Sequence, residues 1–409
     1  MNPVQNQRAK SYIMASSSFV ISSRRPSNLL LGAIVSLPTM AMTLIAPAVP
    51  ALRLEFAISY NQAQLVITAF LVAMALGLLF VGLLSDRFGR RPVLLIGTTL
   101  FFIASVVAYL APSANILIIA RAVQGLSAAS LMTMGRIIAN DLHAPEEAAR
   151  ALSSVTAFQT IVPILSLGIG GIIVSEMGWR ATLAIMALAS AIVFAQSLLL
   201  IAESNKNPLK TLPISVLTTA FKTVLSSRMW RFYSICAGMQ IGMFYSMNGY
   251  MPYHFARLGA SVAEFGFFYA MVSVGYFFGN LLNRFYGPRL SLGGWVLFGS
   301  WITLIVLPII WALDASAMLS PALLSFLLSL IGFSHGILVA NAITISLQGS
   351  GQHKGSASGI GSAMHMVIGA ISGSIIISLG GASIFWICIA INTLMAAASI
   401  FAAQKALKI

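Results

Sequence analysis

Twelve apolar runs, joined by short turns that gather most of the charge, set the limits on what this chain can fold into. They fall at roughly 29–51, 61–84, 93–111, 115–139, 150–175, 180–202, 230–256, 262–283, 294–312, 320–346, 356–379 and 383–403. A helix of about 20 apolar residues crosses a hydrocarbon core of about 30 Å. Lipid offers nothing to hydrogen-bond a bare backbone, so such runs must be helices that satisfy their own N–H and C=O groups. The expected fold class is an all-α membrane protein with twelve transmembrane helices. Composition agrees: 8% of residues are charged, against about 25% in soluble domains. The net charge of +14 does not point to nucleic acid, because the basic residues sit in short loops and form no stripe interleaved with aromatics. The first run is too long for the core of a cleavable signal and reads as a retained span. Cys236 and Cys388 both lie inside apolar runs, so no disulfide is expected.

One connection is longer than the rest. Glu203–Met229 divides the chain into six-helix halves at 29–202 and 230–403, with a linker at 203–229 and end segments at 1–28 and 404–409. Within the linker, Ile214, Leu217, Phe221 and Leu225 recur at helical spacing. Either a short helix on the membrane surface or a partly ordered linker satisfies that pattern. Basic loops stay on the cytoplasmic side. With both termini inside, nineteen of the 23 arginines and lysines fall on that side, Arg136 among them. Arg53, Arg180 and Arg257 face outward, and Arg121 lies within a span. The turn between the second and third runs and both termini are therefore expected on the cytoplasmic side, with the bilayer as the obligate partner.

Between the second and third runs lies Gly82-Leu83-Leu84-Ser85-Asp86-Arg87-Phe88-Gly89-Arg90-Arg91-Pro92. It reads as a tight turn at the membrane surface. Gly89 is free to take a left-handed conformation, and Pro92 suits a first helical turn. Gly82 leaves room for a neighbouring helix. Asp86 is the one acid among three arginines, and Arg90 at i+4 is a candidate partner.

This stretch resembles the loop signature of the major facilitator superfamily, G-x-L-x-D-R-x-G-R-[KR]-x-x-[LI]. Gly82, Leu84, Asp86, Arg87, Gly89, Arg90, Arg91 and Leu94 occupy its fixed positions. The resemblance implies a gating turn and a transporter of two six-helix halves that holds substrate between them near the midplane. Arg121, Gln124 and Gly125 resemble the superfamily's fourth-helix R-x-x-Q-G pattern, which implies a role in proton coupling or substrate contact. A structural arginine snorkelling to the outer face is the alternative. Further matches are similar to the bicyclomycin/chloramphenicol-type drug exporters. They are Arg136 with Asp141, Pro163 with Gly170-Gly171, Gly279–Arg284, Asn341 and Gly355–Ser358. The chain departs from that group in its first span, where Thr43 and Ile45 stand in place of an acid and a tyrosine. It also departs at Ser166–Gly171, which lacks a proline, and at His365, which replaces a glutamine.

All nine acids fall in loops or at helix ends, so no carboxylate is expected at the midplane. A cation without a counter-charge is costly in a low dielectric. A cavity offering Arg121, with His335 and His365 as further candidates, should therefore favour neutral or anionic cargo. Candidate cavity residues are Thr39, Thr43, Gln240, Tyr245, Asn248, His335, Asn341 and His365. Each histidine is either a proton relay or a neutral hydrogen-bonding core residue. The aromatics Tyr250, Tyr253, Phe267, Phe268, Tyr269 and Tyr276 read mainly as packing. Glycine pairs Gly355/Gly359 and Gly369/Gly373 suit close helix packing. No ATP-binding loop, hydrolytic constellation, metal site or cofactor motif is present in the sequence. The reading is a monomeric secondary exporter of a small molecule, with protons as the implied coupling ion. The alternatives are an exporter of an anionic metabolite such as a carboxylate siderophore, a uniporter or importer, and a non-transporting receptor.

Overall fold

The computed structural model describes residues 26–211 and 214–407. The basic residues Arg8, Lys10, Arg24, Arg25 and Lys408 lie outside them. Helices and short turns account for nearly all of the rest. In chain order they are α1 (Asn28–Thr43), α2 (Val49–Glu55), α3 (Tyr60–Phe88), α4 (Arg90–Tyr109), α5 (Ala114–Asp141), α6 (Pro145–Met177) and α7 (Trp179–Leu200). There follow α8 (Ile214–Ser226), α9 (Arg228–Arg257), α10 (Val262–Tyr286), α11 (Leu292–Ala315), α12 (Pro321–Gln348), α13 (Lys354–Ser378) and α14 (Phe385–Ala406).

The expected first span is present but broken. A 3₁₀ turn at Ala46–Ala48 separates α1 from α2, where Pro47 and Pro50 withdraw two backbone donors from the helical ladder. Among the described residues, eleven spans are long and apolar enough to cross a membrane by length and composition alone. The twelfth, α9, has the length at 30 residues but carries polar groups along it, including Gln240 and Asn248. Those two are buried against neighbouring helices, so α9 need not present an apolar face to lipid there. The helical spacing in the linker is realised as α8, whose Val224 packs with Trp230, Ala357 and Ile360.

Connections are short because the helix ends are capped. Ser59 and Ser261 form reciprocal capping boxes with Gln62 and Glu264, and Ser27, Ser113, Ser227, Ser291 and Ser320 each accept from a first-turn N–H. Each such cap is worth about 1 kcal/mol. At two joints the chain reverses through a single residue, Gly89 with φ 97° and Gly178 with φ 81°, a conformation that side chains resist. Successive spans therefore run antiparallel. The α3–α4 turn, the linker and the near ends of α1 and α14 share one end of the bundle, the turn end.

Lipid gives apolar helices no hydrophobic reason to associate, so close packing decides which pairs meet. In the first half, Gly125 of α5 sits against the Phe70 carbonyl of α3. In the second half, Gly332 and Gly336 of α12 lie against the Val272 and Tyr276 carbonyls of α10. The two six-helix halves meet along two seams, α3 with α13 and α6 with α10. Both seams are tight at the end away from the turn. A methyl group added at Gly171 would lie 2.9 Å from the Cα of Gly266, and one at Gly266 would lie 2.6 Å from the Leu167 carbonyl. On the other seam, the Gln64 side chain of α3 wedges against Gly249 and Gly373 of the second half. Thr68 and Ser374 hydroxyls meet at 3.0 Å, and the rings of Tyr60 and Tyr253 stack edge-on with centroids 5.0 Å apart. Toward the turn end the halves part. Gly82, expected to admit a neighbouring helix, has nothing within 4 Å of the space a Cβ would fill, and Gly355 is equally open. Gly359, Gly369 and Gly373 do make the close approaches expected of them.

Candidate functional site

Between the halves lies a chamber of about 250 Å³. Thr39, Met132, Arg136, Gln159 and Pro163 line its first-half wall, and Phe244, Tyr245, Tyr276, His335 and His365 line the second. Toward the turn end it continues into a vestibule of about 500 Å³ that includes Asp86, Phe221, His353 and Ser356. The two spaces share Met132, Arg136 and Ser362, so Arg136 stands at the neck between them.

Among the described residues, Arg136 is the only fully charged side chain lining the inner chamber. The sequence reading counted it among the cytoplasmic anchors, at the close of the fourth span. The structure places it inside α5, five residues before the helix ends, with a guanidinium nitrogen 2.5 Å from Gln159 Oε1. Among the described residues no carboxylate lines the inner chamber. Every described acid lies in a loop or within the last or first turn of a helix, as expected.

Arg121 occupies a different place. It is fully buried in the first half, away from the chamber lining. Its Nε donates to the Val66 carbonyl at 3.1 Å and its Nη1 to Gln124 Oε1 at 2.9 Å. The guanidinium lies 4.4 Å over the Phe70 ring. Gln124 in turn donates to Ser105 Oγ at 2.7 Å. Arg121 and Gln124 thus join α3, α4 and α5 through one polar core. In this conformation they line neither the chamber between the halves nor the space toward the turn end.

Of the expected cavity residues, Thr39, Tyr245, His335 and His365 line the chamber and four do not. Thr43 is buried against Ser166 Oγ at 2.6 Å and returns a bond to the Thr39 carbonyl. Gln240 accepts from Thr303 inside the second half, and Asn248 donates to the Phe244 carbonyl. Asn341 ties α12 to α10 through Asn283 Oδ1 at 3.1 Å. Conversely Tyr276, expected to be packing, lines the chamber with Arg136 and Gln159. The signal for Arg136 and Gln159 was a charge and an amide set inside helices, about one and four turns from the nearer end. Periodicity alone does not show which face is which.

The turn is a larger network than its sequence suggested. Asp86 pairs with Arg90 at 2.5 Å, the expected i+4 partner. Asp86 is not the only acid at the turn: Arg90 also reaches Asp141 at 3.4 Å. Glu203, from the start of the linker, accepts from the backbone N–H groups of Arg90 and Arg91 at 2.9 and 3.1 Å. It supplies the cap that Gly89 lacks, on the positive end of the α4 dipole. Asn205 and Leu209 then bond to the Asp86 carbonyl. All these contacts lie within the first half and the linker.

Residues 30–374 match the family model described as Major Facilitator Superfamily. The chain is 25% identical to a bicyclomycin resistance protein homolog of Haemophilus influenzae, over 86% of this chain and 88% of that one. It is also 25% identical to a chloramphenicol resistance protein of Pseudomonas aeruginosa, over 86% and 83%. A 170-residue stretch is 31% identical to multidrug resistance protein D of Escherichia coli. Among solved structures, a D-xylose–proton symporter superposes with a TM-score of 0.70 over 90% of this chain and 95% of its own, at 18% identity. A bacterial homolog of the human lysosomal transporter Spinster superposes with a TM-score of 0.69 over 93% and 97%, also at 18% identity.

Proposed function

The chain belongs to the major facilitator superfamily and is a multi-pass membrane transporter, and from that premise we propose that it exports small neutral or anionic molecules by alternating access. The chamber between the halves holds the cargo. The far seams and the turn end open in alternation as one half rocks against the other. The excess of basic loops puts the turn end in the cytoplasm of a bacterial inner membrane, with both termini there. Export is the direction that fits relatives named for drug resistance. Protons are the coupling ion the family resemblance implies, and His335 and His365 are the titratable groups on the inner wall to carry them.

The charge preference rests on one observation: the inner chamber carries Arg136 and no carboxylate. Two charges about 8 Å apart at an effective dielectric near 20 interact by about 2 kcal/mol. That is a factor of about 30 in binding, against cations and for anions. The same observation supports an anionic metabolite as the natural cargo. Expression in an efflux-deficient bacterium tests the reading. Resistance should rise for chloramphenicol, which is neutral, and not for ethidium, a cation. Strong ethidium export by the wild-type protein would contradict it.

A further inference from the structure

The chamber's two walls differ in what they lack. On the first-half wall, Arg136 has one hydrogen-bond acceptor, Gln159, which itself leans on the Val35 carbonyl at 3.4 Å. The planar fork of a guanidinium matches a carboxylate in two parallel bonds, and no protein carboxylate lines this space to take them. On the second-half wall, His335 and His365 are 4% and 5% exposed. The Nε2 atom of each is buried with no hydrogen-bond partner among the described residues. A buried polar atom left unmet costs about 1–3 kcal/mol. Both Nε2 atoms belong to residues that line one wall of one cavity, so a ligand that turns those rings toward it would complete their bonding. Ile241, Phe244 and Met366 supply apolar surface in the same chamber.

We propose that the chamber takes a compact organic acid bound end to end: its carboxylate on Arg136 of the first half, and a hydroxyl or amide group at its other end on His335 and His365 of the second. This rests on the transport reading above and narrows it to a substrate class. The chamber, at about 250 Å³, lies just below the usual range of about 300–1,000 Å³ for ligand pockets. The cargo is therefore small. A molecule held by both halves also makes its own binding depend on their separation, which is the coordinate that alternating access moves.

The test uses the purified full-length transporter and three probes: 4-hydroxybenzoate, benzoate and 4-hydroxybenzamide, titrated by calorimetry. Wild type should prefer 4-hydroxybenzoate to each of the others by about tenfold, the scale of one charge-assisted hydrogen bond. Arg136→Gln should abolish the acid-over-amide preference and keep the preference for the hydroxyl. The pair His335→Leu and His365→Leu should do the reverse, and His365→Gln, which keeps a hydrogen-bonding group, should restore part of it. Damage to the fold would weaken all three probes alike and would show as loss of a monodisperse elution peak. Equal effects of Arg136→Gln on both preferences in a well-folded protein would overturn the proposal. So would failure of all three probes to bind wild type while chloramphenicol resistance persists. Loss of that resistance activity in the wild type would instead be a failure of the transport reading.

Discussion

The two ends of the bundle close by different physics. At the far end the halves meet through shape: Gly171 against Gly266, and Gln64 against Gly249 and Gly373, with neutral hydroxyls between. The ion pairs there, Glu55 with Arg180 and Arg257 with Asp314, each stay within one half. At the turn end charge dominates, yet Asp86, Arg90, Asp141 and Glu203 satisfy one another inside the first half and the linker. A seam made of glycines and backbone is either seated or not. A charged cluster is able to exchange partners at small cost. Under the proposed alternating access, the far end would set whether a closed state exists, and the turn end how readily it is left.

The largest expected effect comes from spoiling the seated seam. In Gly266→Leu the new side chain meets the Leu167 carbonyl and the Gly171 backbone, neither of which can swing aside. Transport should fall more than tenfold. A cysteine at Asn61, which is exposed beside the other far seam, should become more reactive from the far side. Normal flux with unchanged labelling would show that the seam does not have to seat.

Next is Asp86→Asn. The pair with Arg90 is partly exposed and contributes under about 1 kcal/mol to stability. Thermal stability should hardly move, whereas flux in proteoliposomes should fall several-fold as the turn loses a partner it needs in other states. A well-expressed Asp86→Asn protein with wild-type flux would remove the turn from the gating account.

Arg121→Ala sharpens the contrast between a buried structural cation and a cavity cation. It strips Gln124 and the Val66 carbonyl of their partner and opens a void over Phe70. The expected cost is about 3 kcal/mol of stability, with the ratio of anion to cation transport preserved in whatever protein folds. A changed ratio at full stability would return Arg121 to the substrate path. The smallest effect is expected of Glu203→Gln. It trades a charged cap for a neutral one on the α4 terminus, worth about 1 kcal/mol or less, read as a slight drop in the unfolding midpoint.

Much of this was legible in the sequence, and the misses share one cause. The spans stood out because a bilayer demands long apolar runs, and the turn because Asp86, Gly82 and Gly89 are odd residues for a basic anchor. Helical spacing offered the i+4 partner of Asp86, and it left the Ile214–Ser226 stretch open between a short helix and a linker, of which the helix is found. Facing did not. A helix in lipid is apolar on the lipid side and the core side alike, so its periodicity hardly distinguishes chamber from packing. Arg121 therefore looked like the functional charge because it lay within a span in an R-x-x-Q-G pattern, and Arg136 like an anchor because it lay at the end of one. The rotation of α5 decides between them: it turns Arg136 to the gap between halves and Arg121 into the contact with α3. Asp141 and Glu203 joined the turn only through folding, since they lie 51 and 113 residues from Arg90.

The central claim is that the two ends open in alternation around one chamber. Spin labels test it most directly, placed on exposed residues of opposite halves at each end: Met177 with Met318 at the far end, and Asn140 with Leu290 at the turn end. The native cysteines are buried in the bundle and leave those sites as the labelled ones. Distances would be measured in lipid nanodiscs with and without chloramphenicol. The account predicts that the 177–318 distance lengthens in the same population in which the 140–290 distance shortens. Two distances that stay fixed, or that lengthen and shorten together, would contradict it.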